Sequence, residues 1–575
     1  MPIFKPAHKR GNLFVSSFIF DKYRIVKLLI LITSFLIFVL PFLKLIYMSF
    51  QGELGFTFDH YLKIFRMERT WRVLVNTFIM VFGATILASL CGISFAWLMA
   101  YTDIRHKKSL HILLFLPFVI PSYVSSLAWL QFFGQNGQLA RWLAVILPGF
   151  NGFNLYSMLG MIVVLGITTY PLVYLFTLNA FRQIPRETEL AARISGASQW
   201  IVLRKVTLPM AMPGLTAGIF IAFLSCLDNF GIPAFLGSSA NITVLTTYIY
   251  QQVIGFGPSA FNQAAVLSVV LAVIALIGLG IQRLLLARHQ QLESQVQDHS
   301  VRYYLGTKRP WIEGAIILFI LVTSILPLFA LIISPLYKVM GRPLSIDNLS
   351  LKNYLFIFQS VKSRQAILTS LKLAGVTAFI SLGIGTILAY FRVRKKEPLA
   401  FLIESVATIP YALPGTVFAL SMIFAWMQPL PGWNPGIYGS ISILYIAYFT
   451  RFFSLQVRSS IASFQQLDVS IEEAAQVSGS PIWVKWRRIL MPLIKNVVLS
   501  GTVLVFLTAL TELTVSSLLY ASKSQTIGVS VLSFQQAGNL RHANAFSSLI
   551  VLLIIVAYII WTVIDGFRKK ERRIG

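Results

Sequence analysis

Leu190-Ala191-Ala192-Arg193-Ile194-Ser195-Gly196 returns later in the chain as Glu473-Ala474-Ala475-Gln476-Val477-Ser478-Gly479. Each copy runs on to a proline, Leu208-Pro209 in the first and Met491-Pro492 in the second; 209 − 196 and 492 − 479 both give 13. Both copies are polar and basic, and both lie between long apolar stretches. A soluble-looking helical hairpin held at constant spacing inside an apolar chain predicts a docking surface for a second protein.

The apolar stretches define the class. The chain has 575 residues, of which 56% are hydrophobic and 12% charged, and its mean hydropathy is +0.75. Runs near the roughly 20 residues that cross a hydrocarbon core as helix occur about twelve times: 25–48, 73–100, 109–131, 158–181, 211–235, 263–287, 310–337, 366–391, 399–427, 436–458, 497–520 and 545–567. Their length and continuity favour helices over barrel strands. The expected fold is an all-α polytopic membrane protein of about twelve transmembrane helices.

A net charge of +28 raises the question of nucleic acid, and the placement of the charges answers it. Lys5, Lys9, Arg10, Lys22, Arg24 and Lys27 precede the first span; Arg105, Lys107 and Lys108 join spans two and three; Arg392, Arg394, Lys395 and Lys396 join spans eight and nine. Arg568, Lys569, Lys570, Arg572 and Arg573 end the chain, whereas 236–262 carries no charge and 132–157 only Arg141. By the positive-inside rule both termini and the basic loops are cytoplasmic. The basic character is topological, and nucleic acid is not an expected partner. Cys91 and Cys226 fall inside spans, so no disulfide framework is implied. The first span reads as a retained helix.

The repeat extends beyond the hairpin. His60-Tyr61-Leu62 matches Asn353-Tyr354-Leu355, and Pro117 and Pro121 match Pro410 and Pro414, at an offset of 293; from Gly196 to Gly479 the offset is 283. The lost residues fall in the connection between spans three and four, where 132–157 compares with the short turn Gln428–Pro435. Two parallel six-helix repeats follow, related by a pseudo-two-fold axis along the membrane normal. Residues 1–287 form the first half with its hairpin at 185–209, 288–309 is a polar cytoplasmic linker, and 310–575 form the second half with its hairpin at 470–492.

Within the second copy, Ser470 three residues before Glu473 has capping-box spacing, Gly479 suits a left-handed helix end, and Ser480-Pro481 suits a helix start. The first copy runs from Pro185 through Trp200 to Pro209. This arrangement resembles the EAA loop of the permeases of ABC importers, whose short cytoplasmic helix docks into a groove on an ATP-hydrolysing subunit. The resemblance covers Glu473, Ala474, Ala475, Gly479 and Pro492, and in the first copy Ala191, Ala192, Gly196 and Pro209. Leu190 takes the acidic position there, with Glu189 beside it about 100° around the helix. The second hairpin is therefore expected to be the more sensitive one. The resemblance implies a type I importer permease served by two copies of an ATP-binding subunit and an extracytoplasmic substrate-binding protein, in the bacterial inner membrane. No Gly-rich phosphate loop ending Gly-Lys-Ser/Thr is present, so ATP hydrolysis is expected elsewhere and this chain is not itself an enzyme.

Ionisable residues inside spans are functional candidates. Asp228 in span five, followed by Asn229, and Glu512 in span eleven lie 284 apart, close to the repeat. Glu404 in span nine and the tyrosines Tyr170 and Tyr448 complete the candidates for the substrate pathway, each with a packing or hydrogen-bonding alternative. The seven histidines show no metal-ligand spacing, and neither a nucleophile nor a cofactor box is evident. Asp228-Asn229-Phe230-Gly231-Ile232-Pro233-Ala234, followed by Thr243-Val244-Leu245-Thr246-Thr247-Tyr248-Ile249-Tyr250, looks most like permeases for ferric iron. Hard oxygen donors suit Fe(III). The same framework serves thiamine, 2-aminoethylphosphonate, polyamines and sulfate. An ion-coupled secondary transporter, the competing class, predicts coupling carboxylates in the spans without the paired hairpin.

Overall fold

The computed structural model describes residues 24–52, 55–135, 137–143, 146–147, 149–255, 260–287, 298–339, 346–427 and 436–556. The basic residues before Arg24, the chain end beyond Val556, the turn Gln428–Pro435 and the linker residues 288–297 lie outside the described residues.

Among the described residues helix is found in all twelve apolar stretches, in the last of them (545–567) as far as Val556. Among the described residues eight helices are long and apolar enough to cross a bilayer, and ten if each of two sharply bent pairs counts as one span. The other two are Ile441–Gln465, which carries a buried Arg451, and Leu540–Val556, described only in part. The repeat is visible element by element: Glu68–Tyr101 matches Val361–Val393, Met158–Arg182 matches Ile441–Gln465, and Leu208–Asp228 matches Met491–Leu510. Even the short amphipathic helices Asp59–Arg66 and Lys352–Gln359 are 293 apart.

Proline breaks spans three and nine outright. The residue before proline is driven to extended backbone, and Ile120 and Leu413 have ψ 129° and 144°. Helix Pro398–Ala412 therefore stops, and Gly415–Met427 leaves at 113°. Spans five and eleven also break: helix ends at Asp228 and at Leu510, and both chains restart as shorter helical pieces.

Two compact units follow from the packing. One contains the described residues up to Tyr47 with Ser370–Leu413 and Ser421–Leu510. In it the first span packs on second-repeat helices: Phe38 stacks on Phe453 at 5.8 Å and buries against Ala400, Ile403 and Ala407. The other contains Met48–Thr369, Pro414–Leu420 and the chain from Thr511. Here the seventh span packs on the first repeat, with Phe319 4.9 Å from Phe95 and 5.7 Å from Tyr170 between ring centres. Each repeat thus lends its leading helix to a unit built largely from the other.

Candidate functional site

Each hairpin begins with a nine-residue helix, Arg186–Ile194 in the first and Val469–Val477 in the second. Both end the same way. Gly196 and Gly479 adopt φ +88° and +69°, conformations glycine tolerates best. Ala197 N–H donates to Ala192 O and Ser480 N–H to Ala475 O, each at 3.1 Å, the six-to-one bond of a Schellman end. Ser195 and Ser478 hydroxyls bond back to Ala191 and Ala474. A short helical turn follows, and then a stretch of π-type winding, Leu203–Thr207 or Lys485–Leu490, runs into the membrane helix beginning at Leu208 or Met491. Pro209 and Pro492 lie exposed in the first turns of those helices. No break separates either hairpin helix pair from its span.

The helix starts differ from expectation. Asp468, not Ser470, caps the second hairpin helix, its carboxylate accepting from Ser470 N–H at 3.0 Å. Pro481, not Ser480, occupies the cap position of the following turn and offers no side-chain acceptor. In the first copy Ser198 fills that position and accepts from Ile201 N–H.

The acidic residues also pair differently. Glu189 and Glu472, 283 apart, are equivalent, and both are buried, whereas Glu473 and Leu190 both face outward. Each buried carboxylate meets a buried guanidinium. Arg394 Nε lies 2.9 Å from Glu472 Oε1, and Arg302 Nη1 lies 2.6 Å from Glu189 Oε1. Arg394 also donates to Leu467 O at 2.6 Å, and Arg302 donates to the matching Ile184 O. Lys485 and Tyr390 complete the second site, Lys485 Nζ reaching Glu472 Oε2 at 3.3 Å. Thr207 completes the first, donating to Glu189 Oε1 at 2.5 Å. The two hairpins are thus anchored alike. The difference between Glu473 and Leu190 lies on the outer face of the hairpins and outside these anchors. Glu472, Arg302 and Arg394 were missed in the sequence, although applying the 283 offset to Glu189 leads directly to Glu472.

On their outward faces the hairpins present apolar side chains in matched pairs. Ile194 and Val477 are 87% and 90% exposed, and Trp200 and Trp483 are 68% and 73% exposed. Basic residues flank them at Arg204, Lys205, Arg487 and Arg488, all exposed. Ala191 and Ala474 are exposed, while Ala192 and Ala475 turn inward.

Three pathway candidates sit at the helix breaks. Asp228 ends its helix and accepts from the Gly415 N–H, at the start of the helix that follows the proline break. Asn229 Oδ1 accepts from Ile232 N–H at 3.0 Å, starting the next helical piece. Glu512 accepts from Val515 and Ser516 N–H at 2.8 and 3.0 Å, capping the helix Thr514–Leu519. The other three make ion-pair, hydrogen-bond or ring contacts. Glu404 is held by Arg392 at 2.7 Å. Tyr170 is fully buried and donates to Leu114 O at 2.8 Å, and Tyr448 is buried with its ring edge-on to Phe452. Arg451, which sequence reading passed over, is buried in span ten and donates to Leu413 O at the break before Pro414. No group of three or more potential metal ligands occurs among the described residues.

The family model described as the inner membrane component of binding-protein-dependent transport systems matches residues 90–290 and 381–570. The chain is 26% identical over 567 residues to the ferric transport system permease protein FbpB of Actinobacillus pleuropneumoniae, covering 96% of this chain and 80% of that one. It is likewise 26% identical to the putative ferric transport system permease protein FbpB 1 of Haemophilus influenzae, covering 88% and 79%. Among solved structures, a bacterial ABC transporter that imports the acidic polysaccharide alginate matches 48% of this chain and 98% of its own, at 20% identity and TM-score 0.39. With both repeats matched, the chain belongs to the family of inner membrane components of binding-protein-dependent transport systems, and is an importer permease carrying the family segment twice.

Proposed function

We propose that this permease is driven by two copies of an ATP-hydrolysing subunit docked on its two hairpins, and that it carries ferric iron delivered by an extracytoplasmic binding protein. Both chain ends and both hairpins face the cytoplasm of a bacterial inner membrane. The observation that carries the docking reading is the matched pair of outward faces, Ile194 with Trp200 and Val477 with Trp483, on bases made rigid by buried ion pairs. Exposed large apolar residues rimmed by charged ones mark sites of protein interaction. Each hairpin runs without interruption into its span, so a pull on its outer face reaches the membrane helix as a rigid-body movement.

Ferric iron is supported by the two ferric-transport relatives and by the local resemblance after Asp228. Asp228, Asn229 and Glu512 are the pathway residues of this reading, since irregular backbone at membrane depth is tolerated where it lines a cavity or is buried in protein. The test is reconstitution with the ATPase and binding protein encoded beside the chain. ATP-dependent accumulation of iron, with thiamine, 2-aminoethylphosphonate, spermidine and sulfate as controls, is the expected result. Accumulation of a control substrate without iron would overturn the substrate assignment, and uptake without ATP would overturn the driving mechanism.

A further inference from the structure

The two hairpin anchors are alike in geometry but different in origin. In the second repeat every part comes from the repeat itself: Asp468 caps the hairpin helix from its own cap position, and Arg394 comes from the loop that joins spans eight and nine. The first repeat lacks both. The residue equivalent to Asp468 is Pro185, which has no side-chain acceptor, and the residue equivalent to Arg394 at the 293 offset is Tyr101.

The missing groups arrive from the segment between the repeats. Asp298 accepts from Arg186 N–H, the first amide of the hairpin helix, at 2.8 Å. Arg302 supplies the guanidinium to Glu189 and stacks 4.2 Å above the Tyr101 ring, where the local arginine would otherwise be. Tyr303 lies beneath Arg193 of the same helix. The segment is itself pinned down. Asp298 N–H donates to Arg182 O, Arg302 and Tyr303 N–H both donate to Tyr101 O, and Leu305 N–H donates to Asp103. Although burial works against its charge, hydrogen bonds from Ser300 and Arg186 with the nearby Arg302 hold the Asp298 carboxyl below its usual range.

We infer that residues Asp298–Leu305 are the anchor of the first hairpin, replacing from the linker the cap and the guanidinium that the second hairpin draws from its own repeat. Arg302 and Asp298 are positioning residues. They act through Glu189 and the helix start, and their bearing on transport rests on the docking reading given above. The linker is therefore a working part of one coupling hairpin, and the two hairpins depend on different stretches of chain.

The experiment is amide hydrogen exchange on the full-length permease in nanodiscs without ATPase, so that its result is independent of docking. Co-purification of the ATPase tests docking separately. Arg302→Ala leaves Glu189 buried without its cation, and exchange across 188–195 is expected to accelerate by about a hundredfold or more, with the second hairpin (Val469–Val477) unchanged as the internal reference. Adding Tyr101→Arg should restore protection, and Pro185→Asp should do the same for Asp298→Ala. Unchanged exchange in Arg302→Ala, or equal acceleration in both hairpins, would overturn the inference. So would failure of both relocated groups to restore protection in protein whose second hairpin stays protected.

Discussion

Glu472 and Glu473 are neighbours in sequence with opposite surroundings, and replacing each separates anchoring from surface contact. Glu472 is buried against Arg394, Lys485 and Tyr390; Glu473 is exposed with no salt bridge among the described residues. Glu472→Gln removes the anion and leaves two buried cations facing an amide. Breaking a buried pair in this way costs about 3–5 kcal/mol, which at about 1.4 kcal/mol per decade raises the local opening constant by roughly two to three and a half decades. Glu473→Gln changes an exposed side chain and should stay within about 0.5 kcal/mol. Native-state proteolysis reads this difference, because cleavage tracks the open population when reclosing is fast. Thermolysin cleavage between Val469 and Leu490, followed by mass spectrometry on the permease in nanodiscs, should accelerate strongly for Glu472→Gln and hardly for Glu473→Gln. Equal cleavage in the two variants would refute the reasoning, since it would mean that the buried ion pair does not hold the hairpin.

Gly479→Val should weaken the second hairpin by more than the roughly 1–2 kcal/mol of a left-handed residue, and Gly479→Asn by much less. No atom stands within 4 Å of an added Cβ, so backbone conformation alone sets the cost, and amide exchange at Ser478 and Ser480 checks it. Trp200→Ala and Trp483→Ala, at exposed positions, should leave thermal unfolding within about 0.5 kcal/mol yet reduce recovery of the ATPase in co-purification. Arg451→Leu leaves the Leu413 carbonyl without that donor at a helix break, a loss of about 1–3 kcal/mol that thermal unfolding in detergent should register. The Ser470 N–H, donating to Asp468, holds that carboxyl below its usual range. The stabilisation by this cap is therefore complete above the unfolded-state value near about pH 3.9 and lost as pH falls through the lower folded value. Protection of the Ser470 amide should stay level from neutral pH down to about pH 5 and fall only in stronger acid.

The helical membrane class, the repeat and the hairpin position were legible because each rests on a local or periodic signal; of about twelve expected spans, eight to ten are long and apolar enough among the described residues. Twenty apolar residues need a helix in lipid, and Gly196 and Gly479 need no distant partner to adopt their helix-ending conformation. The proline positions were legible too, but the severity of the breaks was not. Ile120-Pro121 and Leu413-Pro414 terminate helices that a single proline can merely bend, and the outcome depends on what the chain packs against next. The exchanged packing of the leading spans left no mark in sequence. Phe38 and Phe319 belong to strongly apolar helices, and because lipid tails are as apolar as packed side chains, hydropathy does not say which neighbour such a helix packs on. The site was half legible. The motif drew attention to Glu473 and its counterpart Leu190, whereas applying the same 283-residue offset to Glu189 leads to Glu472, the carboxylate that is buried.

The anchors explain why identical geometry need not leave an identical sequence. A buried carboxylate requires a cation and a helix start requires an acceptor, wherever in the chain these come from. In the second repeat the required groups lie within the repeat itself, Asp468 at the helix start and Arg394 in the loop 78 residues before Glu472, since 472 − 394 gives 78. In the first they stand about 110 residues downstream, since 298 − 186 gives 112 and 302 − 189 gives 113. A repeat comparison looking for Asp468 and Arg394 in the first half finds Pro185 and Tyr101 and reads a defect. The structure shows the function moved to another segment. The first repeat taken as residues 1–287 would end before both of its anchoring groups, whereas the second carries all of its own. For the hairpin anchors alone the dependence runs in one direction: the first hairpin needs chain that follows its repeat, and the second needs nothing from the linker for its cap or its cation.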